Sequence, residues 1–100
     1  MDTAAPVPPF AAMVADLSKT TGFSQEDILS RRKSTHELRC ALIWAARTAH
    51  GYSYPRLGRL MGFSHQPIFK AFRKAEVWRE HYAAFRSLTD LLVQKAEARS

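Results

Sequence analysis

Residues 54–74, YPRLGRLMGFSHQPIFKAFRK, decide how the rest of the chain is read. Gly58 is followed four residues later by Gly62, and Ile68 comes six beyond that. This is the spacing of a helix-turn-helix. A small residue inside the first helix admits the second helix, and the next glycine tolerates the left-handed backbone that closes the first. The apolar residue then anchors the second helix in the core. Ser64 stands where an N-cap belongs, so the second helix is predicted to begin there and to run through Lys74 or further. Leu57, Leu60, Met61, Ile68 and Phe72 are expected to face inward. His65, Gln66, Phe69, Lys70 and Arg73 are then left on an outer face that is polar and basic, as a helix entering a DNA major groove needs.

The charge distribution supports a polyanionic partner. The formal net charge is +6 over 100 residues. Residues 31–74 hold ten Lys and Arg against Glu37 alone, so 10 − 1 = +9, whereas residues 1–30 sum to 1 − 4 = −3 and residues 75–100 hold four of each sign. An ordinary solvated surface mixes its signs, as the last segment does. The helix-turn-helix segment does not.

One hundred residues, nearly half of them apolar, fit one domain with a single modest core. No apolar run reaches the roughly 18 residues of a membrane span. MDTAAPVPPF lacks the basic and apolar regions of a secretory signal, and Cys40 is the one cysteine, so a reducing cytoplasm is expected. Residues 1–9 read as a disordered, proline-punctuated tail. Residues 10–100 read as a single all-α domain of five or six helices. Phe10, Met13, Val14 and Leu17 fall at helical spacing over 10–19. Ser24 to Asp27 resembles a capping box for a brief helix carrying Ile28 and Leu29. Ser34 and Glu37 form a second such box, ahead of a broad apolar helix over 35–50 that is expected to be central. Gly51 ends that helix, and Ser53 caps the next, with Pro55 in its first turn. The helix-turn-helix is placed over 53–76 and a last helix over 80–96.

The order of these elements resembles domain IV of the bacterial replication initiator DnaA, a Trp-repressor-like helical fold. The residues that carry the resemblance are Ser30 to Lys33, Arg39, Ser53 to Arg59, Gly62, His65, Ile68, Ala71, Arg73 and Lys74, and it covers roughly residues 23–76. The family enters its recognition helix with Arg-Asp-His-Thr-Thr. Here the stretch is Phe63-Ser64-His65-Gln66-Pro67, so only the histidine is kept. The resemblance implies that His65 reads a base and that Arg31, Arg32 or Lys33 enters the minor groove. The changed neighbours imply a target other than the initiator's own box. No GxxxxGK[ST] phosphate loop occurs, so the implied protein is a stand-alone bacterial transcription regulator, similar to phage-related and gene-transfer-agent activators. A replication-origin-associated DNA binder is the alternative within the family.

Chemistry allows the same assignments. Gln66 can pair bidentately with adenine, and His65 and Lys70 can reach guanine N7 or O6. The plain alternative is that these are merely exposed helix residues. Arg31, Arg32, Lys33, Arg56 and Arg59 are candidate phosphate ligands, with Ser53, Tyr54 and Ser64 as helpers. Arg39 belongs equally to a phosphate or to Glu37. Leu88, Leu91 and Leu92 on the last helix belong either to the core or to a docking face for RNA polymerase, another regulatory protein or a second copy of the chain. His36 and Cys40 have metal-ligand spacing, but two ligands do not make a site. No enzyme activity, cofactor, metal, small-molecule substrate or membrane contact is expected. The location implied is cytoplasmic and nucleoid-associated.

Overall fold

The computed structural model describes residues 8–99. Residues 1–7 of the predicted tail lie outside the described residues, and its last two residues already belong to structure. Pro8 caps helix α1 (Pro9–Thr21), and its carbonyl accepts from the Ala12 N–H at 3.0 Å. Proline is tolerated at a first helical position because that N–H has no intrahelical partner. Phe10, Met13, Val14 and Leu17 are buried at the predicted spacing. Helix α2 (Gln25–Leu29) starts as expected, with the Ser24 hydroxyl accepting from the Asp27 N–H at 3.1 Å.

The second predicted box does not form. Residues 33–35 make a 3₁₀ turn, and helix α3 (His36–His50) begins after it. Thr35, not Ser34, occupies the N-cap position, and its hydroxyl is turned inward. There it donates to the Asp27 carbonyl at 2.8 Å and accepts from Arg39 at 2.7 Å. Helix α3 is central as predicted, packing on α1, α2 and the two helices that close the chain. Its buried residues include Leu38, Cys40, Ala41, Leu42, Ile43, Ala45 and Ala46.

Helix α4 (Tyr54–Met61) is capped by Ser53, which accepts from the Arg56 N–H at 3.2 Å. It ends at Gly62 with φ +76°. Leu57 and Met61 are buried, but Leu60 is 44% exposed, against expectation. At about 100° per residue, Leu60 lies roughly 100° from the centre of the buried face set by Leu57, Gly58 and Met61.

Helix α5 (His65–His81) runs past Lys74 as expected and beyond the 76 given to the helix-turn-helix, and the last helix, α6 (Ala83–Arg99), starts three residues later than the predicted 80. Tyr82 separates them with extended backbone. Ile68, Ala71 and Ala75 bury one face of α5, while Phe72 packs half-buried against the core. On α6 the buried positions are Phe85, Thr89, Leu92 and Ala96, one helical stripe. Leu92 is therefore core and not a docking residue, while Leu88 packs against the core and Leu91 is half-buried. Trp78 and Phe85 meet edge-on at 5.5 Å across the α5–α6 corner. Arg79 fastens that corner by donating to Thr89 at 2.6 Å and Asp90 at 2.7 Å. The described residues contain helices and no strand, and no helix among them is long and apolar enough to cross a membrane.

Candidate nucleic-acid interface

The outer face of α5 is the predicted one. His65, Gln66, Phe69, Lys70 and Arg73 are all exposed. By helical geometry they fall within an arc of about 140°, opposite Ile68, Ala71 and Ala75. Lys70 has no hydrogen-bond or ion-pair partner among the described residues. Arg73 pairs with Glu76 at 3.3 Å, but both side chains are solvent-exposed. Such a pair is weak and yields readily to a phosphate or base edge.

Phe69 is 43% exposed in the middle of this polar face. It is not loose, because its ring stands edge-on to Tyr54 at 5.3 Å. Tyr54 in turn carries the Arg47 guanidinium 4.0 Å from its ring centre, and Arg47 is fixed by donating to the Tyr52 carbonyl at 2.7 Å. Tyr54, a phosphate candidate from the sequence, thus acts as a brace beneath the outer face of α5. Sequence inspection missed Arg47, because a contact of this kind leaves no trace in helical periodicity.

The basic loop is tied to the turn of the helix-turn-helix. Arg31 donates from Nη2 to the Gly62 carbonyl at 3.0 Å, and its guanidinium lies 4.8 Å over the Phe63 ring. Lys33 is exposed, and Arg32 forms an open ion pair with Asp27 at 3.4 Å. On the α4 side, Arg56 lies 4.8 Å over the Tyr52 ring and Arg59 is exposed. The Ser53 hydroxyl is used as a cap acceptor. The Ser64 side chain makes no capping bond and is exposed beside His65.

Arg39 does not join this set. It is only 7% exposed, and it donates to Thr35 at 2.7 Å and to the Arg32 carbonyl at 2.8 Å. These bonds hold the basic loop onto α3, and no ion pair with Glu37 forms among the described residues. Lys74, outside the predicted site, reaches His36 Nε2 at 3.3 Å. Burial first, then Lys74 and Arg39, hold the His36 pKa below its ordinary value. Burial pushes the Cys40 thiol up to about 11, which keeps it protonated. The His36 and Cys40 side chains approach to 3.6 Å, but no group of three or more metal-ligating side chains assembles among the described residues.

The site therefore combines a braced helix face bearing hydrogen-bonding and apolar side chains with two flanking sets of cations. No family model, no curated protein and no solved structure matches the chain.

Proposed function

We propose that this chain is a sequence-specific double-stranded DNA-binding protein that acts as a transcription regulator, with α5 in the major groove. One observation carries the reading: His65, Gln66, Phe69, Lys70 and Arg73 lie exposed on a single helix face, while the loop cation Arg31 is bonded to the turn that sets that helix. Donors, acceptors and one apolar group on a major-groove helix are what base discrimination uses, and the flanking cations supply phosphate contacts. The arrangement is in keeping with a DnaA domain IV-like module working without an ATPase. Its place would be the cytoplasmic nucleoid.

Selection of binding sites from random duplex DNA at near-physiological salt tests this. Nonspecific phosphate contacts are largely suppressed there. A reproducible motif supports the reading, and a motif unlike the initiator's box favours a promoter regulator over an origin binder. Salt-sensitive binding with no motif would sink it.

A second reading, docking of RNA polymerase or another protein, has a different surface from the one expected. The α6 stripe is largely spent on the core, whereas Val77 and Tyr82 are 50% and 60% exposed at the α5–α6 corner. Loss of partner capture on Val77→Asp, with duplex binding intact, would establish that role separately.

A further inference from the structure

A cavity of about 180 Å³ lies behind the start of α5, between that helix, α3 and the basic loop. Its apolar walls include Ile43, Phe63, Ile68 and Ala71, and its charged lining is Arg31 and Arg39. No carboxylate lines it. Arg39 is almost wholly buried, yet it forms no ion pair among the described residues. Its bonds go to a hydroxyl and a carbonyl, neither of which neutralises a charge. Buried cations are ordinarily matched by an anion, because the low-dielectric surroundings penalise an uncompensated charge. Arg31 at the rim is likewise bonded only to the Gly62 carbonyl and to the face of Phe63. The cavity thus has two guanidiniums, mainly apolar walls with the His36 imidazole and the Cys40 thiol among them, and no counter-ion of its own.

We infer that this cavity binds a small organic monoanion, an apolar body of about ten heavy atoms carrying one carboxylate. The carboxylate meets Arg39 and Arg31, where charge-assisted hydrogen bonds are strongest. The apolar body lies against Ile43, Ile68 and Ala71. The volume is below the roughly 300–1,000 Å³ of drug-sized pockets, which limits the ligand to about this size. Ile68 and Ala71 line the cavity from the inner face of α5, the exposed Pro67 lines it from the side of the helix, and Arg31 belongs also to the phosphate set. Occupation of the cavity is therefore coupled to duplex binding, and the coupling is reciprocal. That regulatory half rests on the DNA-binding reading; the site itself does not.

The test uses benzoate, its neutral isostere benzamide, and acetate, titrated into the DNA-free chain while the Arg39 Nε–H and Ala71 amide resonances are followed. Benzoate is expected to shift both saturably, and benzamide and acetate to bind at least about tenfold more weakly. Arg39→Gln would remove the charge but also release the basic loop. The decisive variant is therefore Ala71→Met, which fills the cavity with an apolar side chain. It should keep a cooperative thermal transition and lose benzoate binding by about tenfold or more. Absence of a saturable benzoate shift, equal binding of either control compound, or unchanged affinity in a folded Ala71→Met chain overturns the site. On a duplex selected as above, benzoate should then change affinity by about fivefold or more. An unchanged duplex affinity overturns the regulatory half alone. Failure to select any duplex counts against the DNA-binding reading and leaves the titration result standing.

Discussion

Gly58 and the Phe63 carbonyl approach so closely that a methyl group on the glycine would stand 2.5 Å from the oxygen. The obstacle is backbone, which cannot swing aside as a side chain can. Alanine would gain up to about 1 kcal/mol of helix propensity. Overpacking against a fixed group typically costs about 1–3 kcal/mol. Gly58→Ala is therefore expected to lower stability by about 1–2 kcal/mol net and to tilt α5, weakening specific duplex binding more than nonspecific binding. Thermal denaturation and a competition assay would read the two effects, and an unchanged or raised transition temperature would contradict the account.

Gln66 and Arg59 separate readout from attraction. Gln66→Ala should relax preference at one base pair by about 1–3 kcal/mol while leaving the salt dependence alone. Arg59→Ala should weaken every duplex alike and reduce the salt slope by about one. Affinities of both variants across a panel of mismatched duplexes and several salt concentrations check the orientation of α5. If neither changes anything, a different face meets DNA.

Phe69 is the apolar member of the reading face, and in a major groove the thymine methyl is the group it can match. Replacing individual thymines of the selected duplex by uracil should cost affinity at one position or two neighbouring ones. Phe69→Ala should abolish that penalty. A uracil effect that persists in the variant would assign the methyl contact to another side chain, with Pro67 the first alternative.

Thr35 holds the basic loop through its hydroxyl, which joins the Asp27 carbonyl to the Arg39 guanidinium. Thr35→Val keeps the shape and deletes both bonds, together with the longer one to the Arg32 carbonyl at 3.4 Å. Because one bond is to a charged, buried partner, the expected loss is about 2–3 kcal/mol. Denaturant titration measures it, and a loss below about 0.5 kcal/mol would show that Arg39 finds its support elsewhere.

His36 gives the fold a pH dependence of defined sign. Its folded pKa is depressed, chiefly by burial. The unfolded chain then binds the proton more tightly, so stability falls as pH drops below about 6.5, the unfolded value. His36→Gln should flatten that decline. Transition temperatures of both proteins between about pH 7.5 and pH 5 decide the point. Parallel curves would remove His36 from the account.

The elements that depend on local chemistry were legible in the sequence. Ser24, Ser53, Gly51 and Gly62 each start or end the helix expected of them, because caps and left-handed turns are decided within a few residues. The exposed side chains of α5 were legible for the same reason, through helical period. What could not be read were choices made by distant partners. Thr35 abandons a cap for Asp27 and Arg39, and Arg39 is withdrawn from the surface in doing so. Leu92 is buried because α6 lies along α1 and α3, a docking that no local pattern encodes. Leu60 was misplaced because a helix as short as α4 buries only a narrow face.

The unbroken length of α5 has a mechanical consequence. At about 1.5 Å per residue its 17 residues form a rod about 25 Å long. The end that carries His65 and Gln66 is set by the turn that Arg31 fastens at Gly62, and the end that carries Trp78 and Arg79 is held in the α5–α6 corner by the bonds of Arg79. A tilt of only about 5° about the corner would shift the far end by about 2 Å, more than half a hydrogen-bond length. Placement of the tip thus depends on stiffness at both ends of the rod, and repacking of Phe85 or Thr89 should retune base preference without touching a base.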